Sequence, residues 1–225
     1  MRRRIDAAAF LATIVALVPS LGQASDEHSY SPAQIALFES DHLHAVANQE
    51  VLAYAFEHHG GADGDFSDRV TEKISAVNDN GTRDVEVTFL TGKHAVGYPM
   101  ATNFRGNPLL MYFLEHDVVE MHQATKGAAL YFRNRIRDAF LEQAETRPVS
   151  FTFDGKQEKG TEITVRPFRK DPMIDRFPAF ADKTYHFILS DAIPGTIYEI
   201  STTLPKADGA AGTFTESVTF TGEQR

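Results

Sequence analysis

The sequence predicts an α+β protein: a curved antiparallel sheet, forming an incomplete barrel, with an N-terminal helix and a central helical hairpin packed on it. Apolar and polar residues alternate over 51–90 and again over 149–221, which is typical of half-buried strands. Helical spacing fills the interval 107–145 between these two β halves. Tight-turn sequences such as Asn80-Gly81 and Asp154-Gly155 favour antiparallel pairing of neighbouring strands.

Residues 1–24 have the pattern of a secretory signal peptide. A basic stretch, Arg2–Arg4, precedes the apolar run Ala7–Val18 and a small-x-small cleavage sequence that ends at Ala24. We therefore expect cleavage after Ala24, a periplasmic location, and a single α+β domain over 25–225. No second long apolar run follows, so no transmembrane segment is expected after the signal is removed.

The first mature helix has a well-defined predicted start. Ser31 is placed to cap it, Pro32 occupies the first helical position, and Gln34 completes a capping box. Helical spacing puts Ile35, Phe38 and Val46 on one face. Period-two alternation then predicts three strands, at 51–57, 66–77 and 85–89.

The central region predicts a loop and two helices. Residues 92–106 are loop-like, and Asn107-Pro108 is a favourable helix start. Lys126-Gly127 separates one helix at 109–125 from another at 128–144. After Pro148, alternation predicts five more strands, at 149–153, 161–168, 183–190, 196–204 and 213–221.

Composition excludes several classes of function. The chain carries 22 Lys and Arg against 31 Asp and Glu, for a net charge of −9. Loss of the predicted leader, with three Arg and one Asp, makes this −11. So acidic a chain argues against nucleic acid as a partner. The absence of cysteine excludes disulfides, thiolate metal sites and cysteine nucleophiles.

The nine histidines are the first candidates for chemistry. His116 and Glu120 have i,i+4 spacing, and His58-His59 lies close to Asp63 and Asp65, so a metal site could be built from either group. We favour mostly solvated histidines instead, with His42 and His186 partly buried. No metal site, cofactor or catalytic residue is therefore predicted.

A carboxylate and two arginines form the second candidate group. Helical geometry puts Asp117 on the apolar side of its helix, where a carboxyl group needs a partner or a raised pKa. We expect an arginine of the next helix to supply that partner. Arg133 and Arg137 share a helix face and could bind an anionic headgroup, whereas pairing with Glu115 or other acidic side chains is the structural alternative.

Aromatic residues suggest an apolar cavity between the sheet and the helices. The chain has 17 Phe and 7 Tyr, many of them at inward positions, and a concave sheet covered by helices can enclose a lipid. A solid core is the alternative. The predicted ligand-binding residues are Tyr54, Phe56, Phe113, Asp117, Phe132, Arg133 and Arg137.

The predicted layout resembles that of periplasmic lipoprotein and lipid carriers. The resemblance lies in a signal peptide followed by an incomplete antiparallel barrel that holds helices, and it transfers no functional residue. It implies a periplasmic binding or carrier protein for an apolar or amphiphilic ligand. Two alternatives stay open: an envelope assembly factor that binds another envelope protein, and a hydrolase or metal-dependent enzyme that uses Asp117, Glu120 or histidines.

Overall fold

The computed structural model describes residues 30–61, 64–142, 144–205 and 213–224, so the predicted leader lies outside the described residues. Nine antiparallel strands form one curved sheet that does not close on itself, and helices pack on it, which confirms the predicted α+β class. The strands are β1 (Val51–His59), β2 (Phe66–Val77), β3 (Arg83–Phe89), β4 (Ala101–Phe104), β5 (Glu145–Phe153), β6 (Lys156–Val165), β7 (Thr184–Leu189), β8 (Ile197–Pro205) and β9 (Thr213–Gln224). The helices are α1 (Pro32–Gln34, continued by a π-helical turn at Ile35–Glu39), α2 (Pro108–Thr125) and α3 (Ala129–Glu142).

The sheet consists of two meanders joined by β9, the last of the described strands. Its strand order is β4-β3-β2-β1-β9-β8-β7-β6-β5, so β9 lies between β1 and β8. Strands β1 to β3 lie within the predicted β half at 51–90, and β4 lies beyond it. Strands β5 to β9 extend past both ends of the predicted half at 149–221. The strands β4 and β5 are the two edges of this sheet.

The helices begin where the capping residues predict. The Ser31 hydroxyl accepts a hydrogen bond from the Gln34 amide, and the Gln34 side chain accepts one from the Ser31 amide, which confirms the capping box. Ser31 Oγ also donates to the Phe140 carbonyl at 2.8 Å, so α1 is tied to α3. The Asn107 side chain accepts from the Leu109 amide at the start of α2. Lys126 ends α2 in the left-handed conformation.

The core lies between the inner face of the sheet and α2 and α3. Alternate residues of β1 point into it, and α2 contributes residues one turn apart. Its largest fully buried aromatic residues are Tyr54, Phe56, Phe89, Phe113, Phe132, Phe168, Tyr185 and Phe187. No helix within the described residues is both long and apolar enough to span a membrane.

Several predicted boundaries are wrong, among them that of β6, which spans Lys156–Val165 rather than 161–168. The first helix ends at Glu39, so Val46 lies beyond it, and Ile35 is 49% exposed. The predicted loop 92–106 contains β4, which is too short to give an alternating pattern. Strand β5 runs through Pro148, because an edge strand tolerates a residue without an N–H.

Candidate functional site

An open apolar groove lies on the outer side of the helices. The groove has a volume of about 320 Å³ and is formed by α1, α2 and α3. Apolar side chains form its floor and walls, and we call it the helical groove: Phe38, Met111, Leu114, Val118, Ile136 and Phe140. Met111 is 52% exposed at its mouth, so the groove presents apolar surface to solvent.

Charged side chains line the rim of the helical groove. Arg133 and Arg137 both contribute to it, and Gln34 and Glu115 are the other polar residues there. Arg133 Nε donates to Glu115 at 2.7 Å, whereas Arg137 contacts only its neighbour Asp138, at 3.4 Å, among the ion pairs of the described residues. The Arg137 side chain is 68% exposed. The more available positive charge at the rim is therefore Arg137.

The four aromatic residues predicted to bind ligand lie elsewhere. Tyr54, Phe56, Phe113 and Phe132 are each at most 1% exposed and belong to the core between sheet and helices. Their contact with a ligand stays a prediction. The structure thus separates the predicted residues into a buried aromatic set and the two arginines of the helical groove.

Asp117 is buried, as predicted, but the prediction that an arginine of α3 pairs with it is wrong. Lys183, which precedes β7, places Nζ 2.7 Å from the Asp117 carboxylate, and the Tyr185 hydroxyl donates to the other carboxylate oxygen. Asp117 and Lys183 are each 1% exposed. The bridge therefore connects α2 to Lys183, at the entry to β7, and to Tyr185 within that strand, rather than to α3.

A row of polar side chains crosses the inner face of the sheet next to this bridge. Strand register aligns Tyr185 with Thr202, Thr202 with Glu216, and Glu216 with His58. All four residues are at most 5% exposed. His58 Nδ1 lies 2.8 Å from Glu216 Oε1, so neighbouring strands bring an imidazole and a carboxylate into direct contact.

Helix α2 covers this row with two further polar residues. His116 Nε2 lies 3.7 Å from Glu216 Oε1 and 3.5 Å from Glu120 Oε1. We call His58, His116, Glu120 and Glu216 the seam cluster, since β1 and β9 meet there. Ring contacts orient its imidazoles: His58 stacks on Phe66, and His116 packs edge-on against Phe56.

The seam cluster has strongly shifted acidities. Burial alone would raise the pKa of Glu216, but hydrogen bonds from His116 and His58 and nearby positive charge hold that pKa at about 2. Burial, together with the charge of Glu216, raises the pKa of Glu120 to about 7. For His116, burial is outweighed by Glu216, so its pKa is raised. The arrangement concentrates buried negative charge beside two imidazoles.

The prediction of mostly solvated histidines is therefore wrong for His58 and His116. The sequence does hold a signal for the cluster, because Glu216 occupies an inward position between Phe214 and Val218. His58 likewise continues the inward positions of β1 by one step beyond the predicted end of that strand. What the sequence could not supply is the pairing of the first strand with the last.

Comparisons with known proteins identify no family. Neither a family model nor a curated protein sequence matches this chain. Among solved structures, it is similar to the Mycobacterium tuberculosis lipoprotein LppX, with 10% sequence identity and a TM-score of 0.33. That alignment covers 84% of this chain and 94% of LppX. So low a TM-score carries no functional information, and function is inferred from the site itself.

Proposed function

We propose that this protein binds a single-chain amphiphile with an anionic headgroup in the helical groove, and that it acts as a periplasmic carrier after export. The observation that carries the proposal is an open apolar groove with an exposed guanidinium group at its rim. The volume of about 320 Å³ is at the lower end of the roughly 300–1,000 Å³ of small-molecule sites. One alkyl chain suits that volume better than two.

Charge complementarity gives the ligand its orientation. The alkyl chain would lie along Leu114, Val118 and Ile136, where its burial is favourable by about 25 cal/mol per Å². The headgroup would meet Arg137 at the exposed rim. Glu115 stays paired with Arg133 and so does not leave an unneutralised carboxylate beside the headgroup.

Calorimetric titration of the chain beginning at Ser25 with dodecanoate and with dodecanol tests this proposal. Dodecanoate should bind at one equivalent. Leu114→Trp should weaken the binding of both probes at least tenfold, because a larger side chain fills the groove. Arg137→Gln should weaken dodecanoate alone, by about two- to fivefold, since one exposed ion pair contributes up to about 1 kcal/mol.

Two control variants separate the groove from the rest of the surface. Leu130→Trp adds an aromatic residue at a position of α3 that is 64% exposed and outside the groove. Arg105→Gln removes an exposed arginine outside the groove. Both controls should bind like the unmodified chain. Absence of dodecanoate binding, or equal binding by Leu114→Trp and Leu130→Trp, contradicts the proposal.

A further inference from the structure

We propose that the seam cluster is a binding site for a divalent transition-metal ion of the Zn²⁺ class, held by His58, Glu120 and Glu216 with His116 beside them. These residues come from β1, α2 and β9. One ion would therefore connect the covering helix to the two strands that join the halves of the sheet. This inference is independent of the helical groove.

The ligand atoms already lie close together. One ligand atom each from His58, Glu120 and Glu216 can be chosen so that all three lie within 4.8 Å of one another. Bonds of about 2.0–2.2 Å to a tetrahedral ion place ligand atoms roughly 3.3–3.6 Å apart. His116 Nε2 is 3.5 Å from Glu120 and 3.7 Å from Glu216, which is close to that spacing. Side-chain rotations that bring the three ligand atoms from within 4.8 Å to that spacing would complete the site.

Unsatisfied buried atoms provide a second, independent observation. Glu216 is fully buried, and its Oε2 has no hydrogen-bond partner among the described residues. The neighbouring hydroxyl of Thr202, also fully buried, has none there either. Buried polar atoms are nearly always satisfied by protein, water or an ion, so such a pair calls for an occupant. A cation bound to Glu216 Oε2 would satisfy the carboxylate.

The balance of charge favours a dication. Asp117, Glu120 and Glu216 supply three carboxylates in and beside the cluster, and Lys183 supplies one ammonium group. With both imidazoles neutral, which is their ligating form, the net charge is −2 when all three carboxylates are ionised. In that ligating state, one divalent ion would make the site neutral.

The kind of donor atom selects the class of metal. Imidazole nitrogen with carboxylate oxygen suits Zn²⁺, whereas Mg²⁺ and Ca²⁺ prefer sites made of oxygen alone. The imidazoles of His58 and His116 pack against the rings of Phe66 and Phe89, which restricts their orientation. The Glu120 side chain is 36% exposed, so it lies at the point where an ion enters from solvent.

Titration of the chelator-treated full protein with Zn²⁺ at neutral pH, followed by elemental analysis after dialysis, tests the site. We expect one equivalent of Zn²⁺ to bind. Glu120→Gln should raise the Kd at least about 100-fold, because loss of even an indirect partner of a metal site commonly costs 10- to 100-fold. His116→Gln should change the visible absorption spectrum of bound Co²⁺, since the coordination of the ion would be altered.

The matched control is His59→Gln, which changes the next residue of β1 but leaves the cluster intact, since the His59 side chain is 52% exposed. It should bind Zn²⁺ like the unmodified chain. Glu216→Gln tests the buried carboxylate that we propose binds the ion. If Glu216→Gln fails to fold, the Zn²⁺ affinity of Glu120→Gln decides whether the site exists. A chain that binds no stoichiometric Zn²⁺, or a Glu120→Gln variant that binds it as tightly as His59→Gln, overturns the proposal.

Discussion

At the scale of single residues, the most consequential contact is the buried pair Lys183–Asp117. Lys183→Met would leave the Asp117 carboxylate buried without its counter-ion, which destabilises proteins by about 3–5 kcal/mol. We expect that loss in the free energy of unfolding, measured by urea denaturation. Adding Asp117→Asn to Lys183→Met should recover part of the stability, because no buried charge remains.

The pair between Arg133 and Glu115 is the matched comparison. It is also an ion pair of α2, but its side chains are 47% and 33% exposed, so Arg133→Gln should cost no more than about 1 kcal/mol. Equal losses for Lys183→Met and Arg133→Gln would contradict a dominant role for the buried pair.

Glu72 should make stability depend on pH. It is fully buried in β2, where Tyr54 donates to it at 3.0 Å and Asn107 at 3.1 Å. Burial outweighs these hydrogen bonds and raises its pKa from 4.5 to about 7. The folded state therefore binds the proton more tightly than the unfolded state does. The stability contribution is full below pH 4.5 and is lost as the pH rises through about 7.

Glu72→Gln should remove this part of the pH dependence, which corresponds to roughly 3 kcal/mol between pH 4.5 and pH 8. Urea denaturation of both proteins at a series of pH values measures the difference. Glu86→Gln, at an exposed position of the neighbouring β3, is the control and should leave the pH profile unchanged. Parallel profiles for Glu72→Gln and the unmodified chain would show that Glu72 is ionised at neutral pH.

At the scale of secondary structure, the sequence predicted best where local chemistry decides the outcome. Strand β2 was predicted with its observed bounds, Phe66–Val77, because Val70 and Ile74 mark its inner side and loop and turn sequences flank it. The capping box at Ser31 and the cap at Asn107 likewise depend on residues within one turn. Pro148 misled the prediction of β5, since the tolerance of proline depends on whether a strand lies at the edge, and that is a property of the whole sheet.

The residues of the candidate sites show the same dependence on distance along the sequence. Arg133 and Arg137 were placed together because they lie four residues apart on one helix. Lys183 was missed as the partner of Asp117, since 66 residues separate them and only packing brings them together. The seam cluster was missed for a related reason: His58 and Glu216 become neighbours only through the pairing of β1 with β9. Local pattern identified the inward residues but not their partners.

At the scale of the whole molecule, the two meanders depend on a single strand. Among the described residues, β9 is hydrogen-bonded to β1 on one side and to β8 on the other, and no other strand pair joins the two meanders. The sheet is therefore complete only after β9, the last of the described strands, has paired. Such long-range pairing slows folding, because a long loop must close before its contacts form.

This arrangement predicts a sharp difference between a central and an edge position. Ser217 lies in β9 opposite Glu57 of β1 and Ser201 of β8. Ser217→Pro removes a ladder hydrogen bond on one of these two sides and leaves a carbonyl unpaired, at about 1–3 kcal/mol before any steric cost. For a chain of this length, such a loss lowers the melting temperature by roughly 2–12 °C, and the steric clash adds to it.

Ser150→Pro in the edge strand β5 is the matched control. Ser150 is two residues beyond Pro148, so its amide has the same orientation as the position where β5 already accommodates a proline. The melting temperature of Ser150→Pro, measured by circular dichroism, should differ little from that of the unmodified chain. If Ser217→Pro melted at the same temperature as Ser150→Pro, the two meanders would be held together by the helices rather than by β9. A large drop confined to Ser217→Pro would identify β9 as the strand on which the stability of both meanders depends.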